Sequence, residues 1–243
     1  MNNTNIETYY AQVQAFKSDL RNLISTERLM SYDNSIAKHD ASLELNAKLT
    51  PKIAQAEIYL RNIVDFCMQL TTHNSSWIVD ETYLAREIDK IYRRVHKDKT
   101  IKEHIDTIQI TDPRAYNSYL LSNLTLGSII VVIKQNHLQN LIFDFRKQRL
   151  DFRSFCSLNK RIDLKLPNYH KVNIVLDLFS SLRNACFHWE NLAKTRTKEG
   201  VVYPRLSACA PSGVANHSER IISLAQDRIE YFLEFLLKHL KNT

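Results

Sequence analysis

Glycine is nearly absent from this chain: three residues in 243, alongside five prolines. All-β domains and glycine-rich phosphate-binding folds need many more residues that turn freely, so a helical fold is favoured. Cysteine is also scarce. Cys67, Cys156, Cys186 and Cys209 are widely spaced, with no C-x-x-C pair and no clustered histidine. Reduced thiols in a cytoplasmic protein are expected, with no metal and no cofactor. No run approaches the roughly 18 uncharged apolar residues of a spanning helix. The start, MNNTNIETYY, lacks the basic-then-apolar order of an export signal, so no membrane partner is expected.

What is present is ordinary globular composition, 44% hydrophobic and 24% charged, with a net charge of +7. The excess is unevenly placed. Residues 1–100 carry 13 basic and 13 acidic side chains, so the remaining 20 basic and 13 acidic residues all lie beyond them. Two readings stand: a solvated basic face, or a surface for a phosphate-rich partner, which gains by releasing condensed counterions.

Apolar spacing predicts a succession of helices. The first covers roughly 6–30, with Tyr9, Val13, Phe16, Leu20, Leu23 and Ile24 on its apolar positions, and a weaker one covers 33–48. Thr50 followed by Pro51 reads as a helix start, because proline at the first helical position has no N–H to waste. That helix runs to about Thr72, with Glu57 and Arg61 as a surface ion pair four residues apart. Further helices are expected over 80–97, 116–135 and 168–193, with 98–114 a loop or short helical connector. A loop is expected at 194–217, and a last helix over 218–241 that opens with an Asn216/Glu219 capping box. The division expected is an N-terminal helical extension, 1–49, and a helical domain, 50–243, with a basic region at 134–171. In that region Phe143, Phe145, Phe152 and Phe155 alternate with cations, as core or as base-stacking platforms.

One segment has the means for chemistry: Arg183-Asn184-Ala185-Cys186-Phe187-His188. Metal-free cutting of RNA needs proton transfer to and from oxygen and stabilisation of charge on phosphorus. An imidazole performs the first near neutrality, and a guanidinium the second. DNA lacks the 2′-hydroxyl nucleophile. On a regular helix Asn184 and His188 share a face, so Asn184 can orient the ring. Arg183 and His188, five apart, lie about 140° around the axis. Either the helix is distorted or two subunits share one site; the second is favoured, because a twofold dimer gathers a separate acid and base. The plain structural alternative pairs Arg183 with Glu190.

Arg-Asn-x-x-x-His followed by Asn191 resembles the signature of HEPN ribonucleases, in the organisation of their Abi-like (AbiD/AbiF) branch, the bacterial abortive-infection proteins. AEIYLRNIV, with Glu57 four before Arg61, resembles that branch's upstream helix. NLTLGSIIVVIKQ around Gly127 resembles its apolar helix. The likeness spans roughly residues 50–241. It implies an all-α HEPN-type bundle with additional helices, a homodimer, and a metal-independent endoribonuclease acting in abortive infection and antiviral defence or as the toxin of a toxin–antitoxin pair. Two departures stand out: Phe187 and Trp189 flank His188, where members often carry a second polar residue, and Arg61-Asn62 meets Phe66 where a histidine would complete a second motif.

In this reading His188 is the general acid/base, Arg183 the phosphate clamp and Asn184 the orienter. Asn191 caps or supports His188, or has a plain helix-end role. Lys194, Arg196 and Lys198, with Arg146, Lys147, Arg149, Arg153, Lys160 and Arg161, hold RNA or serve as solvated charge, as does Arg205. Partners expected are RNA, including a regulatory small RNA, a second copy and an antitoxin. The alternatives are a non-catalytic protein holding a structured small RNA in the same cleft, and a helical protein-interaction scaffold without RNA affinity.

Overall fold

A computed structural model describes residues 3–95, 97–146, 166–198, 201–209 and 221–241. It is mostly helical, with little strand. Three short helices open the chain: α1 (Asn3–Lys17), α2 (Leu20–Ile24) and α3 (Thr26–Met30). They replace the single helix expected over 6–30. Ile6, Tyr9, Val13, Phe16, Leu20 and Leu23 are about half exposed, so their helical spacing does not serve the core.

The backbone of the fold is α4 (Ile36–Thr72), 37 residues and about 55 Å long. Its inner face is the stripe Leu49, Ile53, Ala56, Leu60, Val64, Cys67 and Met68, all buried, which packs against the last two long helices. The helix start expected at Pro51 is not there. The helix runs straight through the 49/50 division, and Ser35 caps it by accepting the Lys38 N–H. Thr50 is an interior residue whose hydroxyl donates to the Asn46 carbonyl at 2.7 Å. Proline is acceptable there because the packed face of a long helix outweighs one missing hydrogen bond.

After 3₁₀ turns at Trp77–Asp80 and Thr82–Leu84 come α5 (Ala85–Val95) and α6 (Lys99–Thr111), the latter in the stretch expected to be a connector. Asp98 caps α6 and Asp112 caps α7 (Pro113–Asn123). The long apolar helix expected over 116–135 is in fact α7 and α8 (Leu126–Gln135), bent by 114° at the break. Thr125 makes the break, its hydroxyl accepting the Ser128 N–H at 3.1 Å. Ile129, Val132 and Ile133 of α8 are in the core. Among the described residues no single helix is long and apolar enough to cross a membrane.

A short α9 (Gln139–Ile142) leads to Phe143 and Phe145, which are buried and stacked at 5.3 Å. These two are therefore core, not base-stacking platforms; Phe152 and Phe155 lie outside the described residues. Asn168 locks this stretch to the start of α10 (Asn168–Phe187), accepting the Phe145 N–H at 2.8 Å and donating to the Phe143 carbonyl at 2.7 Å. Beyond α10, part of the expected loop is strand. β1 (Thr195–Lys198) pairs antiparallel with β2 (Val201–Pro204), and β3 (Ser207–Cys209) with β4 (Ile221–Ser223). The β-branched and aromatic residues Thr195, Thr197, Val202 and Tyr203 suit this pairing. The last helix, α11 (Ile229–Lys241), starts later than expected because the chain first completes β4. Asn216 and Glu219 lie outside the described residues.

The scarcity of glycine has a structural consequence. Helix ends that close through a left-handed residue must use other side chains, and His73, His137 and Trp189 all have φ near +54°. At His137 the turn is held by Leu138 N–H on the Ile133 carbonyl at 3.0 Å, and the side chain is exposed. A left-handed L-residue costs roughly 1 kcal/mol relative to glycine. His137→Gly is expected to raise the unfolding free energy by about that amount in a urea titration; an unchanged or lowered midpoint would count against the strain.

Candidate active site

The break between α7 and α8 leaves carbonyls short of helical partners. Arg61 of α4 fills that gap, its Nη1 donating to the Leu121 carbonyl at 3.0 Å and the Leu124 carbonyl at 2.8 Å. Its Nη2 donates to Glu57 Oε1, one turn earlier on α4. The other carboxylate oxygen, Glu57 Oε2, accepts from Nε of Arg183 on α10 at 2.9 Å. Glu57 is only 8% exposed, so the surface ion pair read from the sequence is a buried carboxylate between two guanidinium groups. Burial raises its pKa, but hydrogen bonds from Arg61 and Arg183 and their charges outweigh burial and hold the carboxyl below its ordinary range.

Arg183 is thus paired with Glu57 rather than Glu190, which instead accepts from Arg205 at 2.9 Å. Only the Nε edge of Arg183 faces the carboxylate. Nη1 reaches the Asn184 amide oxygen at a long 3.4 Å, and the guanidinium stacks over the Phe187 ring at 4.5 Å. Among the described residues Nη2 has no hydrogen-bond partner. The group lines a cleft of about 410 Å³ together with Glu57, Arg61, Ile58, Thr125 and Phe187. Two cations and one anion leave this wall with a net positive charge.

Neither Asn184 nor His188 lines that cleft. His188 is the residue that ends α10, and its side chain is exposed without a hydrogen bond among the described residues. The turn beneath it is rigid. Trp189 N–H bonds to the Cys186 carbonyl at 3.0 Å and Glu190 N–H to the Ala185 carbonyl at 2.9 Å, closing the helix around a left-handed Trp189. Three residues after His188 are then tied to the N-terminal part of the chain. Arg28 Nη2 donates to the Trp189 carbonyl at 2.7 Å, Asn46 Nδ2 donates to the Glu190 carbonyl at 3.2 Å, and Asn191 Nδ2 donates to the Ser31 carbonyl. Arg28 is steadied by donating from Nε to Nε2 of the buried His39 at 3.0 Å. Asn191 therefore anchors the loop to the α3–α4 turn and makes no hydrogen bond to His188. Within the motif Cys186 is buried, and burial pushes its thiol pKa up to about 12.

Of the proposed RNA-holding cations, Lys194, Arg196 and Arg146 are described in full and lie on different elements. Lys194 is exposed; Arg196 of β1 donates to the Ser207 hydroxyl at 2.8 Å and lies over the Tyr203 ring at 5.1 Å. Arg146 is exposed and doubly bonded to Asp144 at 2.9 and 3.0 Å. Lys198 belongs to β1, while its side chain and Lys147, Arg149, Arg153, Lys160 and Arg161 lie outside the described residues. Sequence reasoning missed Arg28 and Asn46, since nothing in their local pattern marks a contact made across some 140 residues or more, and with them His39, which acts through Arg28. No family model matches the chain, and neither does a curated protein or a solved structure.

Glu57 should matter for stability with a defined pH dependence. A carboxyl held below its ordinary value of 4.5 contributes stability above that pH and loses it as the pH falls further. Glu57→Gln is expected to cost about 2–3 kcal/mol at pH 7, because two partly buried guanidinium groups lose their counter-charge. The gap between variant and parent should narrow below pH 4.5. Urea midpoints across pH 7 to 3 check this, and a constant gap would contradict the assignment.

Proposed function

We propose that this chain is a metal-independent endoribonuclease of the HEPN type, acting as a homodimer. The observation that carries the reading is a guanidinium, Arg183, fixed by a buried carboxylate with Nη2 unpaired among the described residues, five residues before an exposed imidazole, likewise unpaired among them, on the same helix end. The resemblance of Arg183-Asn184-x-x-x-His188 to the HEPN signature, with Glu57 and Arg61 upstream, points the same way. In one subunit the Arg183 cleft excludes His188, which supports a site completed by a second copy. The exposed apolar residues Ile58, Phe66 and Leu70 along α4, with Phe187 at the cleft edge, suit such contact.

In this mechanism one imidazole removes the proton of a ribose 2′-hydroxyl, and that oxygen attacks the adjacent phosphorus. Arg183 stabilises the added negative charge. The bond from phosphorus to the 5′-oxygen breaks, and the second imidazole protonates the leaving oxygen. Glu57 sets the position of Arg183 without entering the reaction. Growth arrest in phage defence, or as the toxin of a toxin–antitoxin pair, follows as the role of such an activity.

Single-stranded RNA should be cut by the purified protein in the presence of a chelator. Arg183→Ala and His188→Ala should each reduce the rate by about a hundredfold or more, while a melting curve shows the His188→Ala protein folded. Equal cleavage by parent and His188→Ala overturns the proposal; RNA bound without cleavage by both leaves the RNA-holding alternative.

A further inference from the structure

A separate recess of about 610 Å³ lies between the α3–α4 turn and the chain that leaves the motif. It shares no residue with the Glu57 cleft. Its two walls are joined by Asn191, whose amide nitrogen donates to the Ser31 carbonyl and whose amide oxygen accepts the Ala193 N–H at 2.9 Å. The recess is therefore held open by hydrogen bonds rather than created by a loose loop. Tyr32 and Ser42, both buried, contribute hydroxyl groups 3.5 Å apart, too far for a strong mutual bond. Ala41 and Ala193 supply small apolar surfaces.

The charges within it are unequal. Lys38 is paired with Asp33 at 2.6 Å, whereas Lys194 has no carboxylate partner among the described residues. One unpaired cation beside buried hydroxyls and small apolar walls suits a ligand with one phosphate and one flat, polar-edged ring. The volume falls within the range of small-molecule sites and exceeds the needs of a bare phosphate. Asn191 and Lys194 follow His188 by three and six residues.

We propose that this recess is a nucleotide-binding subsite, with Lys194 on the phosphate and the Tyr32 and Ser42 hydroxyls on the base edge. Its occupant is an unpaired nucleotide of the RNA strand that passes His188, and to that extent the inference rests on the ribonuclease reading. The subsite gives the enzyme a base preference at a position next to the cut.

The test uses the full-length His188→Ala protein and the four ribonucleoside 5′-monophosphates, titrated by calorimetry. At least one should bind one-to-one, weakened about tenfold or more by adding Ala193→Trp, which fills the recess, and severalfold by adding Lys194→Ala. A single-stranded RNA oligonucleotide should displace the bound mononucleotide. Binding that survives Ala193→Trp unchanged, no saturable binding of any of the four, or failure of RNA to displace the mononucleotide each overturns the proposal. Mononucleotide binding displaced by RNA, in a protein whose parent never cleaves, sinks the ribonuclease reading and keeps the subsite. RNA cleavage whose base preference is identical with and without Ala193→Trp does the reverse.

Discussion

A buried carboxylate between two guanidinium groups holds this molecule's candidate site together. Glu57 and Arg61 belong to α4, the carbonyls of Leu121 and Leu124 to the end of α7 and the step into α8, and Arg183 to α10. A chain of charge-assisted hydrogen bonds thus joins the central helix, a sharp bend and the motif helix. Desolvating three charges is costly, and only close pairing with satisfied donors makes such a group stable. The compensation is positional. Arg183 is a long, flexible side chain, and bonding its Nε to a fixed acceptor removes most of its freedom before any ligand arrives.

The second constraint is the turn that carries His188. Its backbone is closed by the helix-ending bonds at Trp189 and Glu190 and anchored by Arg28, Asn46 and the Ser31 carbonyl. Residues that the sequence would set apart as an N-terminal extension therefore brace the segment on which the proposed chemistry depends. The imidazole itself stays exposed. Rigid backbone with a free ring is what a proton-transferring group needs.

Much of this was legible from residue order, for identifiable reasons. The helical character followed from the shortage of glycine and the 3.6-residue spacing, and the motif from residue types that carry their chemistry with them. The break between α7 and α8 was hidden because apolar residues continue across it; only Thr125 with Ser128 marked it, a local capping signal weaker than the surrounding hydrophobicity. Pro51 misled in the opposite way, since a proline typical of helix starts lies inside a helix whose packing is strong enough to accept it. Phe143 and Phe145 alternate with charges yet are core, because Asn168 draws their backbone against α10. The contacts of Arg28, Asn46 and Arg183 span 126 to 161 residues, and no local pattern encodes a partner so distant.

The ends of the RNA fragments test the central claim most directly. Attack by the 2′-oxygen, with Arg183 and His188 as the acting groups, must leave a 2′,3′-cyclic phosphate on one fragment and a 5′-hydroxyl on the other, identified by mass spectrometry. An RNA with a single 2′-deoxy residue at the cut should stay intact at that position. Fragments carrying 3′-hydroxyl and 5′-phosphate ends, or cleavage at the deoxy position, would contradict the account.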